Sequence, residues 1–163
     1  MTTSSKQYRV GMIGAGAIVQ RGHIPNFQAI PNAEVVAVCD VNLARAQEAA
    51  QSTGVPAAYS DYKEMLSKEG LDIVVVAVPN IFHKPMTIEA LRAGANVLCE
   101  KPLALSSADA LEMYGVADEM GKQLAVGTHY RYSNPVQSAK QQVDAGFFGE
   151  IYAARTLWNR RAG

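Results

Sequence analysis

Short apolar, β-branched runs alternate with helix-length stretches along the chain. Residues 8–13 read as a strand that ends in glycines, and a helix follows from about Ala17, is interrupted between Gly22 and Pro25, and ends before Pro31. Residues 34–39 are nearly all apolar, the signature of a strand buried on both faces. Asn42 is placed to N-cap a helix through Ala44, Ala46, Ala49 and Ala50, stopped by Gly54. Residues 61–68 predict a short helix stopped by Gly70, and residues 72–78 form the strongest strand, ended by Pro79. A helix over 83–93 stops at Gly94, a strand occupies 96–99, and Ser106 or Ser107 caps a helix through Met120. A strand over 123–127, a helix over 135–145 and a last strand over 150–158 complete the pattern, with no internal repeat, low-complexity tract or linker.

Strands separated by helices at this spacing mean βαβ units. The expected class is therefore α/β, a doubly wound, mostly parallel sheet with helices on both faces. Composition narrows the functions. Apolar residues make up 48% of 163, and fifteen basic residues balance fifteen acidic ones. A net charge of zero gives no footprint for nucleic acid or an anionic membrane surface. The longest apolar run, residues 73–78, is too short to span a bilayer. The polar start has no apolar signal segment, so the expected compartment is cytoplasmic. Cys39 and Cys99 are expected to be free, at the ends of strands that flank the first one, two strand spacings or roughly 9–10 Å apart. No His or Cys pair has metal-ligand spacing, so no metal is expected.

The first strand turns into the first helix through Gly11-Met12-Ile13-Gly14-Ala15-Gly16-Ala17-Ile18-Val19. Gly14 permits the tight turn, Gly16 lets a pyrophosphate approach the backbone, and the helix start offers free N–H groups around Ala17 and Ile18. Val19 takes the third position of G-x-G-x-x-G, where Gly or Ala would allow the closest helix–strand packing. Asp40 ends the second strand, 24 residues after Gly16, where an acid reaches a ribose. Such a carboxylate accepts the 2′- and 3′-hydroxyls and repels a 2′-phosphate, which favours NAD over NADP; Arg45 is the nearby group able to soften that preference. A site for S-adenosylmethionine, a non-catalytic nucleotide-binding module, and a plain glycine turn with an unrelated Asp are the alternatives.

Two more segments leave strand ends toward the same crevice: Pro79, Asn80 and His83, and Glu100-Lys101-Pro102. Proline restricts Lys101 and removes a donor, so the step aims one ammonium group at one place. Beside an oxidised nicotinamide its pKa would fall, which suits a proton or hydrogen-bond donor to a substrate hydroxyl. His23, in the interrupted helix, reads as a packing or surface residue, and Glu100 either borders the cofactor or bonds backbone at the strand end.

The Gly14-x-Gly16 turn, Ala37-Val38-Cys39-Asp40, Pro79-Asn80-x-x-His83, Ala93 through Pro102 and Tyr130-Arg131-Tyr132-x-x-Pro135 together resemble the Gfo/Idh/MocA oxidoreductases. The resemblance implies NAD(P)-dependent hydride transfer at a carbinol carbon of a sugar or inositol-type polyol. It places Asp40 on the adenosine ribose, Gly14, Gly16, Ala17 and Ile18 at the phosphates, and Pro79, Asn80, His83, Glu100 and Lys101 along the cofactor. Lys101 is then the catalytic residue and, with Arg131, meets substrate; the Lys101–Pro102 bond is expected to be cis. Members are about twice this length, so the expectation is a disordered start over 1–6, a nucleotide domain over 7–158, and the beginning of a truncated second domain at 159–163. An exposed last strand and a 135–145 helix would then favour self-association.

Overall fold

The computed structural model describes residues 6–157. The chain divides into two compact units, residues 1–127 and 128–163. The first holds a six-stranded sheet: β1 (Tyr8–Ile13), β2 (Ala33–Cys39), β3 (Ala57–Tyr59), β4 (Ile73–Val76), β5 (Asn96–Cys99) and β6 (Leu124–Val126). Every pairing is parallel, in the order β3-β2-β1-β4-β5-β6. The doubly wound expectation is met.

The sheet is buried on both sides because its strands are apolar at successive positions. Met12, Val38 and Val75 pack on one face, against Ala49 and Ala50 of α2 (Leu43–Thr53) and Ile24 of α1 (Ile24–Gln28). Ile13, Val74 and Val76 pack on the other, against Met65 of α3 (Tyr62–Glu69), Leu91 of α4 (His83–Arg92) and Met113 of α5 (Ser107–Glu119). A register shift between Val10 and Gly11 gives β2 one extra residue. Val36 and Ala37 consequently share a face, where strict alternation would separate them.

The helix boundaries follow the local chemistry. Asn42, Asp61 and Ser106 each accept a backbone N–H of the first turn, and Gly54 and Gly70 end their helices in the left-handed conformation. The interruption near Gly22 is a π-helical turn, Val19–His23, in which the Ile24 N–H donates to the Val19 carbonyl. Pro25 next to it has no N–H to continue an α ladder.

Two expectations are corrected. Ala57–Tyr59 is a short edge strand that two alanines and one tyrosine do not announce. With β3 occupying the edge beside β2, Cys39 and Cys99 end β2 and β5, and both β1 and β4 lie between them. That is three strand spacings, about 14 Å, rather than two. Second, residues 151–157 form no strand; the alternation there is not paired with any sheet. The expectations for residues 1–5 and 158–163 lie outside the described residues.

Both thiols are free and buried. Burial is the main cause that pushes Cys39 up to about 12 and Cys99 up to about 11, with Asp61 and Asp40 adding to the first. Iodoacetamide at pH 8 should therefore leave the native chain unmodified and add two groups after denaturation, read by intact mass. Native modification at either position would contradict this.

The second unit begins with a 3-10 turn, His129–Tyr132, and continues into α6 (Asn134–Asp144). Val136, Val143, Phe147 and Phe148 are exposed there. Among the described residues, no helix is long and apolar enough to cross a membrane.

Candidate functional site

The strand order reverses between β1 and β4, and their carboxyl ends open a crevice. A cleft of about 320 Å³ lies there, bordered by Gly14, Gly16, Asp40, Arg45, Pro79 and Phe82. Gly14 has φ +106°, and a Cβ on it would lie 2.2 Å from the Ala77 carbonyl oxygen. That carbonyl cannot easily withdraw, because the Ala77 N–H donates to Ile13 across the strand pair at 2.9 Å. Gly16 differs: a Cβ there would meet nothing within 4 Å, and the residue borders the cleft. The N–H groups of Val19 and Gln20 both return to the Gly16 carbonyl. The amides of Gly16, Ala17 and Ile18, all at exposed positions, precede the first turn and lack intrahelical acceptors. Val19 is fully buried in the core, so the third motif position serves packing.

Asp40 is bonded into the turn it follows. Its Oδ2 accepts the Ala15 N–H at 3.1 Å, and its Oδ1 accepts the Asn42 N–H at 3.0 Å. The carboxylate thus ties the glycine turn to the start of α2. Arg45 lies over it at 3.4 Å, half exposed, so the acid and its one basic neighbour form a loose pair at the cleft rim. The Gln20 side-chain amide donates to the Ala15 carbonyl at 2.7 Å and braces the turn from the other side. Nothing in the local sequence marks Gln20 for that role.

The other exits also converge on strand ends. Pro79 and Asn80 are exposed, with Asn80 in a 3-10 turn, Asn80–Phe82. His83 is 1% exposed, and its ring nitrogens face the Pro102 and Val78 carbonyls. Its ring is thus turned to the backbone of both exits. The Lys101–Pro102 peptide is cis. Glu100 Oε2 accepts the Lys101 N–H at 3.1 Å, while Oε1 lies 3.0 Å from His23 Nε2. Both side chains of that pair are largely buried. A Cβ at Gly127 would lie 3.0 Å from Glu100 Oε1, so a side chain at the β6 exit would press on the carboxylate and require it to shift. The His23–Glu100 pair joins residues 77 apart, beyond the reach of any local motif. The Lys101 side chain is exposed, and its ammonium has no partner among the described residues. Arg131 belongs to the second unit, where its carbonyl accepts the Gln137 side-chain amide.

A glycine turn at the switch point, an acid after β2 and open amides ahead of the first helix define a dinucleotide-binding Rossmann domain. The family profile described as an oxidoreductase family with an NAD-binding Rossmann fold matches residues 8–128, and the chain belongs to this Gfo/Idh/MocA family. D-glucoside 3-dehydrogenase of Escherichia coli (strain K12) is 38% identical over 160 residues, which cover 98% of this chain and 46% of that protein. The crystal structure of scyllo-inositol dehydrogenase from Lactobacillus casei with bound NAD(H) and scyllo-inositol superposes with a TM-score of 0.83 at 28% identity, over 90% of this chain and 43% of that one. A 3-ketoreductase from Actinomadura kijaniata, solved with NADP, gives a TM-score of 0.81 at 31% identity, over 90% and 46% of the two chains. The chain spans about half the length of the relatives it matches. Family membership replaces the S-adenosylmethionine alternative.

Proposed function

We propose that this chain forms the cofactor-binding part of a dehydrogenase acting on a sugar or inositol-type polyol, with NAD preferred to NADP. The observation that carries the reading is the Gly14–Gly16 turn braced by Asp40, opening onto the cleft between β1 and β4. The cleft fits such a group: Gly14 closes the turn against Ala77, and Gly16 faces open space that a side chain would occupy. In this reading Gly16, Ala17 and Ile18 present backbone amides to the pyrophosphate, and Asp40 meets the adenosine ribose with Arg45 at the rim. Pro79, Asn80, Glu100 and Lys101 border the nicotinamide half, with His83 behind them. When bound, the nicotinamide accepts or gives a hydride at the carbinol carbon. Lys101 contributes a donor to the reacting hydroxyl, and Arg131 contributes to substrate placement. E. coli D-glucoside 3-dehydrogenase and L. casei scyllo-inositol dehydrogenase support the substrate class by name. A cytoplasmic location and self-association through the apolar α6 surface belong to the same reading.

Calorimetric titration with NAD and NADP tests it. A carboxylate beside the ribose should make NAD bind at least about ten-fold more tightly, the effect of a 1.4 kcal/mol difference. Equal affinities would remove the role given to Asp40, and no binding of either would remove the site.

A further inference from the structure

The exits after β4 and β5 are joined by one side chain. His83 opens α4, and its Nδ1 lies 2.7 Å from the Pro102 carbonyl oxygen while its Nε2 lies 2.9 Å from the Val78 carbonyl oxygen. Both partners are acceptors, and a neutral imidazole carries one N–H. With one hydrogen, one of the two contacts sets a bare nitrogen lone pair against a carbonyl lone pair at hydrogen-bond distance. The ring is 1% exposed, so solvent does not separate them.

We propose that His83 donates from both ring nitrogens, as an imidazolium, and is the positioning residue that fixes the Glu100–Lys101–Pro102 segment against the Val78–Pro79 exit. The role rests on the reading of the cleft as a dinucleotide site; the double donation rests on the ring geometry alone. Lys101 is thereby held from both sides. Ahead of it, the Glu100 carboxylate takes its N–H and pairs with His23; behind it, the Pro102 carbonyl is anchored by His83. Lys84, the next residue of α4, is turned to Asp109 and Glu112 of α5, and Glu100 is engaged by His23, so no carboxylate among the described residues bonds the His83 ring. Burial and the positive end of α4 both oppose the charge. Two short charge-assisted bonds to carbonyl dipoles offset them.

Long-range proton–nitrogen NMR of the uniformly 15N-labelled 163-residue chain, recorded at neutral pH without nucleotide, reads the ring directly. Two protonated ring nitrogens at His83, with N–H signals protected from exchange, are expected; one bare nitrogen overturns the double donation. NADH titration of variants reads the role. His83→Leu should weaken NADH at least about ten-fold, as displacement of a supporting group does, and His83→Gln, which keeps a side-chain donor, should recover part of the loss. Wild-type affinity in both variants overturns the positioning role. If His83→Leu does not fold, His83→Gln carries the binding arm: weaker NADH affinity than wild type supports the role and unchanged affinity overturns it. Absence of NADH binding to the wild-type chain instead overturns the cleft's assignment and with it the role, while the ring signature still stands or falls on the NMR result.

Discussion

Gly14→Ala should both unfold the chain more easily and abolish dinucleotide binding, whereas Gly16→Ala should affect binding alone. At Gly14 the added methyl meets a backbone oxygen at 2.2 Å, in a left-handed conformation that L side chains rarely adopt. The cost combines backbone strain with a clash that only disruption of the β1–β4 ladder relieves, at least about 3 kcal/mol together. Urea unfolding should show that as a clear fall in midpoint. At Gly16 the methyl meets no protein atom, so stability should stay within about 0.5 kcal/mol. NADH affinity should nevertheless drop, because the methyl occupies the approach to the turn. If both variants keep wild-type stability, the close-approach argument at Gly14 is wrong; if Gly16→Ala binds normally, the phosphate assignment is wrong.

The second large effect concerns Asp40, whose carboxylate ties the glycine turn to the start of α2 and, in the proposed function, also meets the ribose. Asp40→Ala strands the buried Ala15 amide and the Asn42 amide and frees Arg45. An orphaned buried donor costs about 1–3 kcal/mol, so the melting temperature should fall along with NAD affinity. Asp40→Asn separates the two roles. Its side-chain oxygen can still accept from Ala15, but its NH2 then faces the exposed Asn42 N–H, so only part of the stability should return, and the charge proposed to discriminate against a 2′-phosphate is gone. The ratio of NAD to NADP affinity should therefore move at least about ten-fold toward NADP, with Arg45 able to turn to the phosphate. An unchanged ratio in Asp40→Asn would show that the preference is set elsewhere.

Much of the fold was legible because its determinants are local. Asn42, Asp61 and Ser106 cap helices with their own side chains, and Gly54 and Gly70 end helices with their own backbone freedom. Where the determinant is a neighbour distant in sequence, the reading failed or stopped short. Ala57–Tyr59 becomes a strand only because β2 offers it an edge, and residues 151–157 alternate without any partner strand to use the alternation. Missing β3 also misplaced the two cysteines by one strand. The site shows the same division. Gly14, Gly16 and Asp40 announce themselves through spacing around a strand end. The second duty of Asp40, the pairing of His23 with Glu100, and the attachment of His83 to two carbonyls depend on chain crossings that no short motif encodes.

The π turn between Val19 and His23 sets an angular phase. Each residue advances an α-helix by about 100°, so one residue inserted into a turn rotates everything before it relative to everything after it. Here Gly16 at the head of the helix borders the cleft while the imidazole of His23, past the π turn, meets Glu100. A chain shorter by a single residue in this stretch would wind regularly and rotate the residues on either side by about 100° relative to one another, breaking the His23–Glu100 contact.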